Sequence, residues 1–272
     1  MVLGIPPSGT KRERRLGGPL RIEVAGETNV GMKRTHNEDN FSILEESGLY
    51  IVADGMGGHA SGEVAAKMAV DSLKEFFSAT ANDPERTWPY KMDRSKGYEE
   101  NRLITGIKLA NLRIYESAQR DPRQRGMGTT IVTMFAVEDG VYIAHVGDSR
   151  IYRLRDGKIE QLTEDHSLLN DYIKMKRLTP EEIANFPHKN VIVRALGMKD
   201  TVKVDTRFEQ PRAGDVYLLC SDGLSGPVVD DEILQICGTN GDLKSSAAKL
   251  IERANANGGP DNITVVLARW VA

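Results

Sequence analysis

Five aspartates in this chain share one local setting: each lies beside glycine or asparagine, where an apolar run begins or ends. They are Asp39 in Asn37-Glu38-Asp39-Asn40, Asp54 in Val52-Ala53-Asp54-Gly55-Met56-Gly57-Gly58, and Asp148 in Val146-Gly147-Asp148-Ser149-Arg150. Asp222 in Cys220-Ser221-Asp222-Gly223 and Asp261 in Gly259-Pro260-Asp261-Asn262 complete the set. Taken singly, Asp-Gly after a strand is a common turn. Taken together, they are hard oxygen donors with no accompanying His/Cys cluster, which suits Mg2+ or Mn2+ and not zinc. Two such ions, roughly 3.5–4 Å apart, can activate a bridging water for in-line attack on phosphorus. Arg34 lies four residues before Glu38. Its planar guanidinium matches phosphate oxygens, although a surface arginine is the simpler reading of that residue alone.

Asp54 is the centre of the pattern. Leu49-Tyr50-Ile51-Val52-Ala53 is a short apolar run closed by glycine, which predicts a buried strand. A carboxylate at its end is costly to bury unless it is paired or binds a metal. Gly55, Gly57 and Gly58 leave backbone groups open to a ligand. Ser61 is a candidate N-cap for a helix that carries Val64, Ala65, Met68, Ala69, Leu73 and Phe76 at helical spacing. The run Gly55-x-Gly57-x-x-Ala60 also fits a dinucleotide fingerprint. Asp54 would then face the pyrophosphate, and no acid stands at a second strand end about 20 residues on, so that reading is set aside. Thiol-dependent phosphate chemistry needs an arginine six residues after the cysteine. Cys220 is followed at that distance by Gly226, and Cys237 by Leu243.

The elements around these acids predict an α+β fold. Strands are expected at Arg21–Ala25, Phe41–Leu44, Leu49–Ala53, Thr129–Val137, Val141–Val146, Ile151–Leu154, Lys158–Leu162, Val202–Phe208, Asp215–Cys220 and Ile263–Val271. Asp139-Gly140 and Asp156-Gly157 mark hairpins. Helices are expected over residues 61–78, near 99–119 and over Leu243–Ala256, with two short pieces in the polar stretch 166–190. Thr179-Pro180 reads as an N-cap followed by proline at the first helical position. Two long helices between groups of antiparallel-looking strands favour two packed sheets flanked by helices over a doubly wound parallel sheet.

With 272 residues, a hydrophobic share of 40% and a charged share of 28%, the chain has the composition of a soluble globular protein. Its net charge of −3 gives no general pull toward nucleic acid or an anionic membrane. Two cysteines make no disulfide framework and point to a reducing, cytoplasmic location. No apolar run approaches the ~20 residues that span a bilayer. Met1-Val2-Leu3-Gly4 lacks both a signal-peptide apolar region and a glycine-second lipidation pattern. Residues 1–20, with Lys11-Arg12-Glu13-Arg14-Arg15, read as a flexible basic tail ahead of a single domain over 21–272.

Several pieces recur in the order of a known family: Arg34-Thr35-His36-Asn37-Glu38-Asp39, Val52 to His59, Gly126-Met127-Gly128-Thr129-Thr130, and Val146 to Arg150. Leu162-Thr163-Glu164-Asp165-His166-Ser167, Ser221-Asp222-Gly223-Leu224 and Gly259 to Thr264 continue it. In these the chain resembles the metal-dependent protein Ser/Thr phosphatases of the protein phosphatase 2C (PPM) type, in their bacterial branch. The resemblance covers residues 21–271. It implies a central β-sandwich of two mainly antiparallel sheets with helices on both faces. It further implies Asp54 bridging two Mn2+ or Mg2+ ions, the Gly55 carbonyl on one of them, and Asp222 and Asp261 completing the first ion's shell. Glu38 and Asp39 would act partly through metal-bound waters, and Asp148 with Asp222 would hold a third, weaker ion. Arg34 would clamp the phosphate, and residues 166–195 would form a flap. The partners implied are phosphorylated proteins, among them Ser/Thr kinases and their substrates, met by a monomer. Animal members carry histidine where this chain has Met56, so the proposed leaving-group acid is absent there. His59 is the nearest ionisable substitute, against a metal-bound water. Two other readings stand beside this one: a metal-free binding module on the same fold, and a phosphatase specialised for an anti-sigma-type partner.

Overall fold

The computed structural model describes residues 20–58, 61–81, 88–176, 178–187, 191–238 and 241–272. All but the last residue of the expected tail lies outside them, as does His59. One sheet runs in the order β1 (Arg21–Asn29), β11 (Ile263–Val271), β10 (Val216–Cys220), β7 (Arg150–Arg155) and β8 (Lys158–Gln161). The other runs β2 (Asp39–Leu44), β3 (Leu49–Met56), β5 (Ile131–Val137), β6 (Gly140–Val146) and β9 (Asp205–Glu209), with the short β4 (Gly128–Thr129) on the end of β3. Every pairing is antiparallel.

Side-chain alternation along the strands makes three apolar layers. On β3, Leu49, Ile51 and Ala53 face α1 (Ser61–Thr80) and α2 (Tyr98–Arg120), while Tyr50 and Val52 face the other sheet. On β11, Ile263, Val265 and Leu267 face α7 (Leu243–Ala256), while Val266, Ala268 and Trp270 face inward. The inward set meets Val132, Met134 and Ile143 of the opposite sheet. The α1–α2 layer is tied by buried Arg102, which donates to the Phe77 carbonyl and the Thr80 hydroxyl at 2.9 Å each. Its guanidinium also stacks 4.4 Å above the Phe77 ring.

The expected sandwich is therefore observed, with corrections in detail. The strand expected over Thr129–Val137 breaks at Thr130. Its first part pairs with Gly55 and Met56, and its second with Leu49–Val52. The expected Val202–Phe208 strand begins only at Asp205, where pairing with His145 starts. Helices α5 (Asp222–Ser225) and α6 (Asp230–Cys237) were not expected. Each has too few turns for a periodic apolar signal, and α6 buries only Ile233 and Cys237. Ser61 is the first residue of α1, and its hydroxyl donates to the Gly58 carbonyl at 2.7 Å instead of capping the helix. In the stretch after β8, α3 (Leu168–Lys176) and α4 (Pro180–Ala184) are the two short pieces foreseen. Thr179 and Glu182 form a reciprocal capping box at the start of α4. Among the described residues, no helix is long and apolar enough to cross a membrane.

Candidate metal centre

The same alternation that builds the inner core carries the acids to its rim. Beyond Tyr50 and Val52, the next inward position on β3 is Asp54. On β2, Asp39 precedes the inward Phe41 and Ile43. Register sets Asp39 directly opposite Asp54. Cβ atoms of such a pair lie about 4.5–5.5 Å apart, and like charges there repel. From the other sheet, Ser221 and Thr264 occupy the inward positions beyond Leu219 and before Val266. Their hydroxyls reach across to Asp39 Oδ2, donating at 2.8 and 2.7 Å. Asp222 opens α5 immediately after Ser221, Asp261 lies three residues before Thr264, and Asp148 lies in the turn from β6 to β7.

Backbone contacts fix Asp54. Its N–H donates to Thr130 Oγ1 at 3.2 Å, and its carbonyl accepts from Thr130 N and from Thr129 Oγ1, each at 2.8 Å. Gly55 then has to be glycine. A Cβ there would stand 2.1 Å from the Gly62 carbonyl oxygen and 2.5 Å from that of Glu38. This close approach brings the start of α1 against the residues before β2. The Gly62 amide bonds the Glu38 carboxylate, which lowers its pKa against a net upward shift from burial. Asn262 secures the loop that carries Arg34. Its Oδ1 accepts from Glu38 N at 2.8 Å, and its Nδ2 donates to the carbonyls of Val30 and His36 at 3.0 and 2.8 Å. Arg34 is half-exposed at the rim and donates to Asp261 Oδ2 at 2.8 Å.

The carboxylates crowd one another, and their pKa values rise with burial and mutual repulsion. Burial first, then charge repulsion, pushes Asp39 up to about 7, although the two hydroxyls favour its ionised form. Burial, then Asp222 and Asp165, does the same to Asp148, also to about 7. Asp54 is raised well above the usual carboxylate range by burial and by Asp39, Asp222, Asp148 and Asp261 in turn. Asp222 is raised by burial and by Asp261. Three of these acids bury an oxygen with no hydrogen-bond partner: Oδ1 of Asp39, of Asp148 and of Asp222. Orphaned buried carboxylate oxygens in an all-oxygen setting fit hard divalent cations. The nearby Arg150 does not neutralise them, because it is held in a two-pronged pair with Asp165 at 2.7–3.2 Å. A groove of about 340 Å³ leads away between Asp148, Arg150, Asp222, Asp261, Ser167 and Leu169.

A different trio, His145, His166 and Asp205, has donor atoms within 4.8 Å of one another, and no other group among the described residues does. No three carboxylates of the centre meet that spacing among the described residues, although Asp54 and Asp222 are close enough to share a hydrogen bond. The trio itself is already bonded. His145 Nε2 meets the Glu164 backbone, and His166 Nδ1 accepts from Gly147 N at 3.0 Å. His166 Nε2 then carries the proton and donates to Asp205 Oδ2 at 2.9 Å, where Arg194 Nη1 also donates at 3.0 Å. The guanidinium already supplies the positive charge an ion would bring. Both cysteines are buried, and burial pushes each thiol up to about 12, which leaves no reactive thiolate.

The structure thus gathers Glu38, Asp39, Asp54, Gly55, Asp148, Asp222 and Asp261 at one end of the sandwich, with Arg34 at the edge. Sequence reasoning gave no role to Ser221, Thr264, Thr130, Asn262 or His166. The period-two signal was available for Ser221 and Thr264, which fall on the inward parity of β10 and β11. Nothing local marks Asn262, whose partners lie more than 200 positions away.

Sheets, helices and an acidic rim of this arrangement define a class of metal-dependent phosphatase folds. The profile described as Protein phosphatase 2C matches residues 31–271, so the chain belongs to that family. Among its relatives is the serine/threonine phosphatase stp of Listeria welshimeri, 38% identical over 247 residues, covering 88% of this chain and 92% of that one. The crystal structure of Stp1 from Staphylococcus aureus superposes with a TM-score of 0.81 at 35% identity, covering 95% of this chain and 98% of that one. The catalytic domain of the phosphatase PstP, solved with two manganese ions, superposes at 0.75 with 35% identity, covering 93% and 100%.

Proposed function

We propose that the chain is a Mn2+- or Mg2+-dependent protein phosphatase that hydrolyses phosphoserine and phosphothreonine, opposing Ser/Thr kinases in bacterial signalling. The observation that carries this is the convergence of five aspartates on one sandwich end, three of them with an unpartnered buried oxygen. Two divalent ions, when bound, supply positive charge for the phosphoryl oxygens and a water acidic enough to attack at neutral pH.

Asp54, surrounded by Asp39, Asp222, Asp148 and Asp261, would serve both ions, with the Gly55 carbonyl beside it. Asp222 and Asp261 would complete the first ion's shell, and Glu38 and Asp39 would act partly through metal-bound waters. Asp148 with Asp222 would hold a third, weaker ion. Arg34, anchored by one nitrogen to Asp261, keeps further N–H groups at the rim for the phosphate oxygens. Met56 has no proton to give to a departing serine or threonine alkoxide. His59, three residues on, is the side chain assigned that role, with water as the competing donor.

The flap, residues 166–195, borders the groove through Ser167 and Leu169 and selects phosphoproteins, contributing none of the five acids that carry the chemistry. Residues 21–272 act as one domain behind a basic tail, in a monomeric, cytoplasmic enzyme whose partners are phosphorylated kinases and their targets. Phosphate release from a phosphothreonine peptide tests the reading. Activity should vanish after exhaustive chelation and return with Mn2+ or Mg2+. Full activity in the chelated protein would overturn it, and no activity with either metal would leave a binding module.

A further inference from the structure

The base of the flap meets the acidic centre at one side chain. His166, the first flap residue, clasps Gly147 twice: His166 N donates to the Gly147 carbonyl at 2.9 Å, and Gly147 N donates to His166 Nδ1 at 3.0 Å. Gly147 immediately precedes Asp148. Its φ of +113° suits glycine, and a Cβ would strike the Thr130 side chain at 2.5 Å. The turn that aims Asp148 is therefore tightly specified, and His166 is its outer support. The other edge of the same ring donates to Asp205 Oδ2 at 2.9 Å. Asp205 begins β9, opposite His145, whose ring stacks on His166 with centroids 4.6 Å apart. Arg194, on the returning limb of the flap, donates to the same oxygen at 3.0 Å. The His166 carbonyl accepts from Val193 N at 2.9 Å, and Ser167 bridges Ile192. Both limbs of the flap and the Asp148 turn thus meet around one ring.

We propose that His166 is a positioning residue that holds the flap and the Asp148 turn as one unit, so that flap placement on a substrate and the aim of Asp148 are coupled. One ring nitrogen serves each side, so the two halves can be separated. Asparagine places an oxygen near the Nδ1 position and can keep the Gly147 contact while losing Asp205. Glutamine reaches the Nε2 position and can keep Asp205 while losing Gly147.

The kinetic half of this inference rests on the phosphatase reading; the structural half does not. Hydrogen exchange on the metal-free full chain reads the structural half. His166→Asn should keep protection at Val146–Arg150 and lose it over Ile192–Leu196, and His166→Gln should do the reverse. Asp205→Ala, which removes the acceptor on β9, should loosen the same limb as His166→Asn. With Mn2+, His166→Asn should raise the KM for a phosphopeptide several-fold and leave kcat on p-nitrophenyl phosphate near that of the parent. His166→Gln should lower kcat several-fold on both substrates. Identical exchange patterns in the two variants would overturn the proposal, as would the split pattern with unchanged kinetics in an active enzyme. If the parent protein proves inactive, the exchange patterns still decide the structural half, and only the phosphatase reading falls.

Discussion

Asp39 is held where a lone carboxylate is unfavourable, facing Asp54 and bonded only through one oxygen. Its folded pKa of about 7 lies above the unfolded value of about 3.9. The metal-free fold therefore binds more protons than the unfolded chain across that window. Its contribution is fully present below pH 3.9 and is lost as pH rises through 7, at about 1.4 kcal/mol per pH unit for each such carboxyl. Asp148 adds a second group with the same sign. Without metal, the chain should melt lower at pH 8 than at pH 5.5, and Asp39→Asn should melt higher than the parent at pH 8. Mn2+ should reverse the order of parent and variant. Calorimetric melts at both pH values, with chelator and with Mn2+, check this, and a flat pH dependence without metal would refute it. His59 is tested by its leaving group. General-acid help is worth about 10²–10⁴ in rate, and p-nitrophenolate needs none. His59→Gln should slow phosphopeptide hydrolysis far more than p-nitrophenyl phosphate hydrolysis. Equal small losses would return the role to water.

At the scale of elements, the centre depends on the crossing of β3, α1 and the residues before β2. A Cβ at Gly62 would stand 2.7 Å from the Gly55 carbonyl carbon and 2.9 Å from Glu38 Cδ. Gly62→Ala should therefore cost about 1–3 kcal/mol in urea unfolding and reduce kcat on every substrate. A variant with parental kcat would show that α1 can move without disturbing the acids. The elements were largely legible because their signals are local. Leu49–Ala53 is an unbroken apolar run, the α1 face repeats at helical spacing, and Thr179-Pro180 marks the start of α4. The aspartates stood out by composition and by their shared glycine or asparagine neighbours. The network that aims them was not legible. Asp39 is held by Ser221 and Thr264, and Glu38 by Asn262, across separations of 182 to 225 residues. Only the sandwich brings those partners together. The break at Thr130 was hidden for the same reason, since the pairing of β4 with Gly55 and Met56 is a tertiary event.

At the scale of the molecule, the inner apolar layer acts as a clamp that keeps the two sheets in register at the acidic end. Trp270 lies toward the opposite end, where it pairs with Ile22 and packs on Tyr217 with ring centroids 4.8 Å apart. Trp270→Ala should lower unfolding free energy by about 3–5 kcal/mol, while the fraction still folded keeps its kcat. A fall in kcat per folded molecule would mean that the far end of the core reaches the centre. The converging aspartates should form a site for a pair of divalent ions, with Asp54 serving both. Calorimetric titration of Mn2+ into the chelated protein measures it most directly. The parent should take up two ions tightly, and Asp54→Asn, isosteric but lacking the charge, should take up none at the same concentrations. Two tight ions in Asp54→Asn, or none in the parent, would contradict it.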